Sequence, residues 1–299
     1  MLQDAIVIGG SYAGLTAAMM LARARRKVLV VDAGSPRNRF ASHAHGVLAL
    51  DGVPGAEILA TARAQLAAYP TVRFLRGHAV EATGSDGAFT VRTAEGDLAE
   101  GRKLLLATGV ADTLPDVPGL AERWGRTVLH CPYCHGYEIG GGSIGLLATT
   151  PLVAEKAPLF ADWGDVTLFT HGPMALDEAL RARLDRRRVR VESARVAELV
   201  GPGTELEGVR LDDGRVVPVK ALFVASVQRM ASPLAAALGC AFDDTPMGPI
   251  IRTDPFKQTT VRGVFAAGDV ATAPPNVMIA AADGVRAGAG LHHALIAEA

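Results

Sequence analysis

A glycine-rich turn near the start of the chain restricts the fold more than any other feature. The pattern is an apolar run, a turn, an Ala- and Leu-rich helix and a second apolar run that ends in an acid: residues 5–8, Gly9-x-Ser11-x-x-Gly14, residues 15–25, residues 28–31 and Asp32. This order within about thirty residues is typical of a βαβ unit that binds a dinucleotide. A glycine-rich turn without a ligand is the alternative, and the flanking elements favour binding.

Each position of the turn has a physical role. Gly9 permits the sharp change from strand to helix, and the small Ser11 lets the backbone approach a pyrophosphate. Gly14 lets the helix pack closely on the strand, and the N–H groups of the first helical turn face the anion. A carboxylate at Asp32 accepts hydrogen bonds from ribose hydroxyls and repels a 2′-phosphate. The site therefore favours FAD or NAD over NADP.

Two distant segments favour FAD. Ala107-Thr108-Gly109 closes one apolar strand, and Ala266-Ala267-Gly268-Asp269 closes another strand near the C-terminus. A Gly-Asp pair before a helix can hydrogen-bond a ribityl chain or a phosphate. Either segment alone would be an ordinary strand-end turn, whereas both in this order predict an FAD site.

Charge and hydropathy exclude several classes of partner. Lys and Arg total 30 against 31 Asp and Glu, so no bulk electrostatic attraction to nucleic acid or to an anionic membrane is expected. The chain contains no uninterrupted apolar stretch of about 18 residues, so no transmembrane helix is expected. The N-terminus lacks the basic start of a signal peptide, which predicts a cytoplasmic location.

Two of the three cysteines, Cys131 and Cys134, form a Cys-x-x-Cys motif, which indicates a redox-active pair or half of a metal site. A zinc site would need two more ligands. His130 and His135 flank the pair, but adjacent ligands would strain a tetrahedral geometry, so the redox disulfide is favoured and no metal is predicted. Cys240 lies in an apolar context and is interpreted as a small core residue.

These motifs together resemble the low-molecular-weight thioredoxin reductase family along the whole chain. The matching segments are the Gly9–Gly14 turn, residues 107–109, Cys131-Pro132-Tyr133-Cys134 and residues 266–269. The resemblance implies a two-domain, Rossmann-like α/β flavoprotein disulfide oxidoreductase fold and a homodimer. It implies a discontinuous FAD domain of residues 1–112 and 247–299. The inserted domain, residues 113–246, would resemble an NADPH domain and carry the cysteine pair.

The sequence departs from that family at three points. The turn Thr149-Thr150-Pro151 has no glycine where a second pyrophosphate would need close backbone approach. Where the family has a basic cluster, only His171 can carry a charge. His135 replaces the family's acid after the second cysteine. These departures make NADPH a doubtful cofactor.

The departures resemble one sub-branch, the FAD-dependent dithiol oxidases of the gliotoxin and holomycin type. The most specific match is Cys-Pro-Tyr-Cys-His-Gly-Tyr-Glu, residues 131–138, with support from Pro36-Arg37-Asn38 and His43-x-His45-Gly46. Such enzymes close an intramolecular disulfide in a small molecule and pass electrons through FAD to oxygen. The resemblance implies a small-molecule or peptide dithiol as substrate and oxygen as acceptor.

The candidate residues follow from these patterns. The candidate catalytic residues are Cys131, Cys134 and His135. The family resemblance implies that Cys131 meets the substrate and that Cys134 faces the flavin. The candidate FAD contacts are Gly9, Gly10, Ser11, Ala13, Gly14, Asp32, Arg37, Asn38, His45, Val80, Thr108, Gly109, Gly268 and Asp269. His135 is either a general base, which an oxidase needs because only a thiolate attacks a disulfide, or a polar cap of the turn. His45 lies either near the isoalloxazine ring or in an ordinary loop.

Three functional hypotheses remain open at this point. The favoured one is an FAD-dependent dithiol oxidase. The second is a disulfide reductase supplied with electrons by NADPH or by another donor such as ferredoxin. The third is a redox-sensing FAD protein whose cysteine pair controls a partner, and turnover of a dithiol with oxygen would count against it.

Overall fold

The computed structural model describes residues 2–298. Its strands, numbered in chain order, are β1 Gln3–Ile8, β2 Val28–Asp32, β3 Val72–Arg76, β4 Ala79–Ser85, β5 Ala88–Thr93, β6 Leu98–Leu106, β7 Val110–Thr113, β8 Val128–Leu129, β9 Ser143–Leu147, β10 Asp165–Phe169, β11 Arg190–Glu192, β12 Val196–Val200, β13 Gly208–Leu211, β14 Val216–Pro218, β15 Ala221–Val224, β16 Val227–Met230, β17 Phe242–Thr245, β18 Gly248–Ile251 and β19 Val264–Ala266. Its α-helices are α1 Tyr12–Arg23, α2 Gly55–Ala67, α3 Pro132–His135, α4 Pro151–Ala154, α5 Ala157–Phe160, α6 Glu178–Arg186, α7 Leu234–Ala237 and α8 Val277–Ala297. No helix within residues 2–298 combines the length and the apolar composition that crossing a bilayer requires.

The chain divides into two compact units, and both are α/β. The first unit comprises Met1–Arg39, Pro54–Ala111 and Gln228–Ala299, and the second comprises Phe40–Val53 and Asp112–Val227. The boundaries expected from the sequence were 112/113 and 246/247. Residues 228–246 lie in the first unit because Leu234, Ala235 and Cys240 are buried in the same hydrophobic cluster as Ile6 of β1.

The segment Phe40–Val53 joins the second unit through specific contacts. Gly125 lies so close to Phe40 that a Cβ on the glycine would be 2.4 Å from the Phe40 Cβ. Farther along the segment, His45 Nδ1 is 3.3 Å from Glu138 Oε1. This segment therefore packs beside residues that follow it by more than eighty positions.

The first unit is built on a seven-stranded sheet. Its order is β3-β2-β1-β6-β5-β4, and β19 also pairs with β6. The strands β3, β2, β1, β6 and β19 are mutually parallel, and β5 runs antiparallel to both of its neighbours, β6 and β4. Leu106 is aligned with Ile8 on one side and with Ala266 on the other. The chain segments that follow β1, β6 and β19 therefore emerge at the same carboxyl edge of the sheet.

Helices α1 and α8 cover one face of this sheet and approach each other closely. A Cβ on Gly284 of α8 would lie 2.2 Å from the backbone oxygen of Ala13. Leu21, Phe265 and Leu291 are almost fully buried in the layer between the helices and the strands. The absence of a side chain at Gly284 thus lets α8 contact the first turn of α1.

The second unit has a five-stranded parallel sheet with the order β11-β10-β9-β15-β8 and a separate antiparallel sheet of β12, β13 and β14. Edge strand β8 pairs with β15, so that Leu129 is aligned with Phe223. The cysteine motif begins two residues after β8. It therefore lies at the carboxyl edge of this sheet, where functional loops of α/β folds are found.

Candidate functional site

The glycine-rich turn of the first unit has space for backbone only. Gly9 has φ +112°, and a Cβ there would lie 2.1 Å from Ala107 O. A Cβ on Gly14 would lie 1.8 Å from Gly9 O. Helix α1 begins immediately after Ser11, whose side chain makes no cap hydrogen bond, and the first turn of α1 contains no acidic residue. The N-terminus of α1 is therefore suited to an anion such as a pyrophosphate.

Asp32 lies at the end of β2 beside this turn. Its Oδ1 accepts a hydrogen bond of 2.9 Å from Gly10 N–H. Arg63 of α2 contacts the other carboxylate oxygen and also donates to Gly10 O at 3.0 Å. Sequence analysis did not single out Arg63, because it lies on a helix outside the motif and no local pattern marks it. The ion pair with Arg63 holds the Asp32 carboxylate beside the turn. There the carboxylate can accept hydrogen bonds from ribose hydroxyls.

Two further candidate residues, Arg37 and Asn38, make specific contacts in the first unit. Arg37 Nη1 lies 3.3 Å from Asp269 Oδ2, although the residues are separated by 232 positions. Asn38 Nδ2 donates to Tyr12 Oη at 3.3 Å. Burial raises the pKa of the Tyr12 phenol above its ordinary value, so this hydroxyl stays protonated at neutral pH.

The ends of β6 and β19 complete this group. Gly109 has φ +66°, and a Cβ there would meet no atom within 4 Å, so open space lies beside it. Gly268 has φ +82°, and a Cβ there would lie 2.8 Å from the Ala13 Cβ. The register of the strands places the turn after β1, Thr108 and Gly109, and the Gly268-Asp269 pair at one edge. A cradle of closely approaching backbone with a carboxylate at its side fits FAD.

Two candidate FAD contacts remain, Val80 and His45. Val80 is on β4 and its side chain is 44% exposed. Gly77, three positions before it, donates its N–H to the backbone oxygen of Asp32 at 3.1 Å. His45 belongs to the second unit, where its ring nitrogen faces Glu138 at 3.3 Å and Asp51 at 3.7 Å. Their contact with FAD stays a prediction.

The second unit holds the cysteine pair as a disulfide. Cys131 is the N-cap of the single-turn helix α3, and the Cα atoms of Cys131 and Cys134 are 5.4 Å apart. Trp163 supports the motif, because a Cβ on Gly136 would lie 2.5 Å from its Cδ1 and the Tyr133 ring packs edge-on against its indole. In residues 2–298, no three His, Cys, Asp or Glu side chains form a group that could hold a metal ion.

His135 follows Cys134 directly and is half-buried. Burial lowers the pKa of its imidazole below the ordinary value of 6.5, the attraction of Glu138 raises it, and the repulsion of His45 lowers it. The net direction is downward, so the imidazole is neutral at neutral pH. A neutral imidazole can accept a proton, which is what a general base requires.

The region where the thioredoxin reductase family would bind NADPH combines features that disfavour a nucleotide with one cation that could favour it. Pro151 occupies the first position of the four-residue helix α4, where it has no N–H to offer an anion. His171 Nδ1 accepts a hydrogen bond of 3.1 Å from Val196 N–H. The pKa of His171 is lowered by burial and by the nearby Arg195, so its ring is neutral at neutral pH. Arg195 is a cation that sequence analysis missed, because it follows β11 rather than β10.

Comparisons with known proteins agree with this architecture. A family model described as pyridine nucleotide-disulphide oxidoreductase matches residues 3–284. The thioredoxin reductase tcpT of Claviceps purpurea is 37% identical over 297 residues, which cover 95% of this chain and 92% of the relative. The crystal structure of an oxidoreductase from Agrobacterium tumefaciens is 46% identical with a TM-score of 0.95 and full coverage of both chains. The crystal structure of HlmI is 40% identical with a TM-score of 0.91, covering 99% and 93% of the two chains. The predicted two-domain Rossmann-like α/β fold is thereby confirmed.

Proposed function

Because the chain belongs to the pyridine nucleotide-disulphide oxidoreductase family, we propose that it oxidises a small-molecule or peptide dithiol to a disulfide and passes the electrons through FAD to oxygen. The predicted resemblance to the thioredoxin reductase-like flavoproteins is confirmed by the relatives. Membership makes the chain a thiol-disulfide oxidoreductase. We propose three further points: that the reaction runs towards oxidation, that the substrate is a small-molecule or peptide dithiol, and that oxygen is the acceptor.

One observation carries the proposed direction. The cysteine disulfide is followed by a half-buried imidazole whose pKa is lowered, so the residue after Cys134 is a proton acceptor at neutral pH. An oxidase must remove a proton from the incoming thiol, because the thiolate is the attacking species. A reductase makes the opposite demand, since its departing thiolate needs a proton donor.

The exchange steps follow from this arrangement. His135 accepts the proton of the first substrate thiol, and the thiolate attacks Cys131 Sγ. The new S–S bond forms as the Cys131–Cys134 bond breaks, and Cys134 leaves as a thiolate. The second substrate thiol, once deprotonated, attacks the substrate sulfur of this mixed disulfide and releases Cys131 as a thiolate. The substrate has then lost two electrons, and the cysteine pair has gained them.

We propose that the first unit holds FAD through the glycine turn, Asp32, and the segments after β6 and β19. When bound, FAD supplies two-electron transfer between the reduced cysteine pair and the final acceptor. The chain's own part is to bind the pyrophosphate at the N-terminus of α1 and the ribose at Asp32. The Arg37–Asp269 pair fixes the loop that follows β19.

The purified protein is expected to be yellow and to retain FAD through gel filtration, with no NADP at this site. Replacing Asp32 by alanine should weaken FAD binding about tenfold or more, because the ribose loses a charged acceptor whose hydrogen bonds contribute roughly 1.5–3 kcal/mol each. Flavin absorbance after refolding with and without FAD measures this. A protein that stays colourless after incubation with FAD would refute the assignment.

The pH dependence of dithiol oxidation is expected to reflect His135. Its folded pKa lies below 6.5, so the base is lost as the pH falls through that lower value, and kcat/KM should fall on the acid side of pH 6.5. The H135Q variant should lose most of the activity near neutral pH and also the acidic limb of the profile. Oxygen consumption with dithiothreitol between pH 4.5 and 8 tests this. An unchanged acidic limb in H135Q would assign the base to another group.

The second candidate function is reduction of a disulfide by NADPH. Arg195 beside His171 favours it, because a guanidinium can pair with a 2′-phosphate. The name of the Claviceps relative, thioredoxin reductase, favours the same function. A redox-sensing role is distinguished from both by the absence of turnover.

We further propose, from the resemblance alone, a cytoplasmic homodimer. Sedimentation analysis of the purified protein would test the dimer.

A further inference from the structure

A buried ion pair lies behind the turn that follows β19. Lys257 and Asp283 are only 6% and 4% exposed, and Lys257 Nζ lies 3.0 Å from Asp283 Oδ1. Lys257 has φ +69°, a left-handed conformation that costs free energy for a residue with a side chain. Burying two charges is favourable only when additional hydrogen bonds satisfy both groups, and the further hydrogen bonds of this pair all go to one segment.

The pair holds one short segment at several points. The second oxygen of the Asp283 carboxylate accepts hydrogen bonds from Gly268 N–H at 2.9 Å and from the Thr272 hydroxyl at 2.8 Å. Lys257 Nζ also contacts Thr272 Oγ1 at 3.1 Å and donates to Ala271 O at 3.3 Å. Both ends of the turn formed by residues 268–272 are therefore tied to the same ion pair.

We propose that Lys257 and Asp283 are positioning residues for FAD, which act by fixing the turn of residues 268–272. The inference rests on the proposed FAD site and adds two residues to it. Neither residue carries a sequence signal, because Asp283 lies inside α8 and Lys257 lies eleven positions before the Gly-Asp pair.

The hydrogen bonds of the ion pair limit the conformational freedom of this turn. Gly268 has φ +82° and no side chain, so without the bond to Asp283 its N–H would lose its acceptor and the residue could leave this conformation more readily, with the Gly268 carbonyl still bonded to Ala271 N–H at 2.8 Å. Asp269 in turn contacts Arg37 at 3.3 Å. Binding FAD to a mobile turn would cost the entropy of ordering it, and a turn that is ordered in advance avoids this loss.

The first unit contains a matched control. Lys103 on β6 is 1% exposed and forms a buried ion pair with Asp86 and Glu298. None of these three residues is a candidate FAD contact. A Lys103→Met variant therefore removes a buried lysine charge from the same unit without touching the turn.

The test is the dissociation constant of FAD from apoprotein, measured by flavin fluorescence well below the melting temperature of each variant. Lys257→Met and Asp283→Asn are each expected to weaken FAD binding at least tenfold, whereas Lys103→Met lowers the melting temperature and leaves FAD affinity within twofold of the wild type. The double variant Lys257→Met/Asp283→Asn, which restores charge balance, should lose less affinity than the product of the two single losses.

A milder variant keeps the proposal testable if the charge variants fail to fold. Thr272→Val removes only the hydroxyl shared by Lys257 and Asp283, and it should weaken FAD binding about threefold. Equal FAD affinity in wild type, Thr272→Val and the folded charge variants would overturn the proposal. Failure of wild-type apoprotein to bind FAD would instead refute the FAD site itself, and with it the proposed function.

Discussion

Replacing either Cys131 or Cys134 by serine is expected to abolish dithiol turnover, by about a thousandfold or more, while FAD stays bound. A hydroxyl cannot form the mixed disulfide or accept the electron pair. Neither cysteine belongs to the predicted FAD cradle at the glycine turn, Asp32 and the segments after β6 and β19, so FAD should stay bound in both variants. Oxygen consumption with a small dithiol and flavin absorbance measure the two outcomes.

Cys240 provides the control for these variants. Its thiol is buried, its pKa is raised by burial, and its Sγ lies 3.5 Å from the Thr259 hydroxyl. The C240S variant should therefore retain turnover. Near-normal turnover in C131S or C134S would refute the disulfide relay.

The two cysteines can also be told apart. With a small disulfide as probe, the C134S variant should form a mixed disulfide at Cys131, which mass spectrometry detects as an added substrate mass. The C131S variant should react much more slowly, because Cys134 is assigned to the flavin side by the resemblance. A faster adduct at Cys134 would reverse the assignment of the two roles.

Reduction of the flavin by NADPH is expected to be slow or absent, whereas a small dithiol should bleach the flavin under anaerobic conditions. The turn before α4 lacks glycine, α4 itself begins at Pro151, and the ring of His171 is neutral at neutral pH. Losing two charge-assisted contacts of about 1.5–3 kcal/mol each weakens NADPH binding by roughly two to four orders of magnitude. Admitting air to the dithiol-reduced enzyme should restore the yellow colour and form peroxide.

Two results would contradict this expectation. Rapid flavin reduction by micromolar NADPH would favour the reductase, and an R195Q variant that lost it would assign the 2′-phosphate to Arg195. A dithiol-reduced enzyme that stayed bleached in air would point to a protein acceptor in place of oxygen. Stopped-flow absorbance of the flavin distinguishes all of these outcomes.

The parts of the fold that sequence analysis predicted depend on local patterns. The turn at Gly9 and Gly14 needs glycine because the neighbouring backbone atoms lie about 2 Å from where a Cβ would be. The sequence also predicts that the segments after β6 and β19 belong to the same site as this turn, because parallel strands end at a common edge of the sheet. In the structure, Leu106 is aligned with both Ile8 and Ala266, so the three strands do end at the same edge.

The parts that sequence analysis missed depend on long-range packing. Arg63 reaches Asp32 from α2, and Glu138 reaches His45 across more than ninety positions. No periodicity or motif marks such pairs, since each residue alone has the pattern of a solvated surface charge. The place of residues 228–246 was missed for the same reason, because the burial of Leu234 and Cys240 in one hydrophobic cluster with Ile6 is a tertiary effect.

The first unit contains strands and helices from both ends of the chain, since β19 pairs with β6 and α8 packs on α1. This affects the order in which the two units fold during translation. The first unit begins at the N-terminus, but its sheet lacks a strand until residues 264–266 have left the ribosome. The strands of the second unit's parallel sheet are complete in the sequence at Val224. Since domains generally fold as units during translation, we expect the unit that carries Cys131 and Cys134 to fold first. The thiols of Cys131 and Cys134 in the nascent chain would then be exposed to cellular oxidants before the chain could bind a flavin.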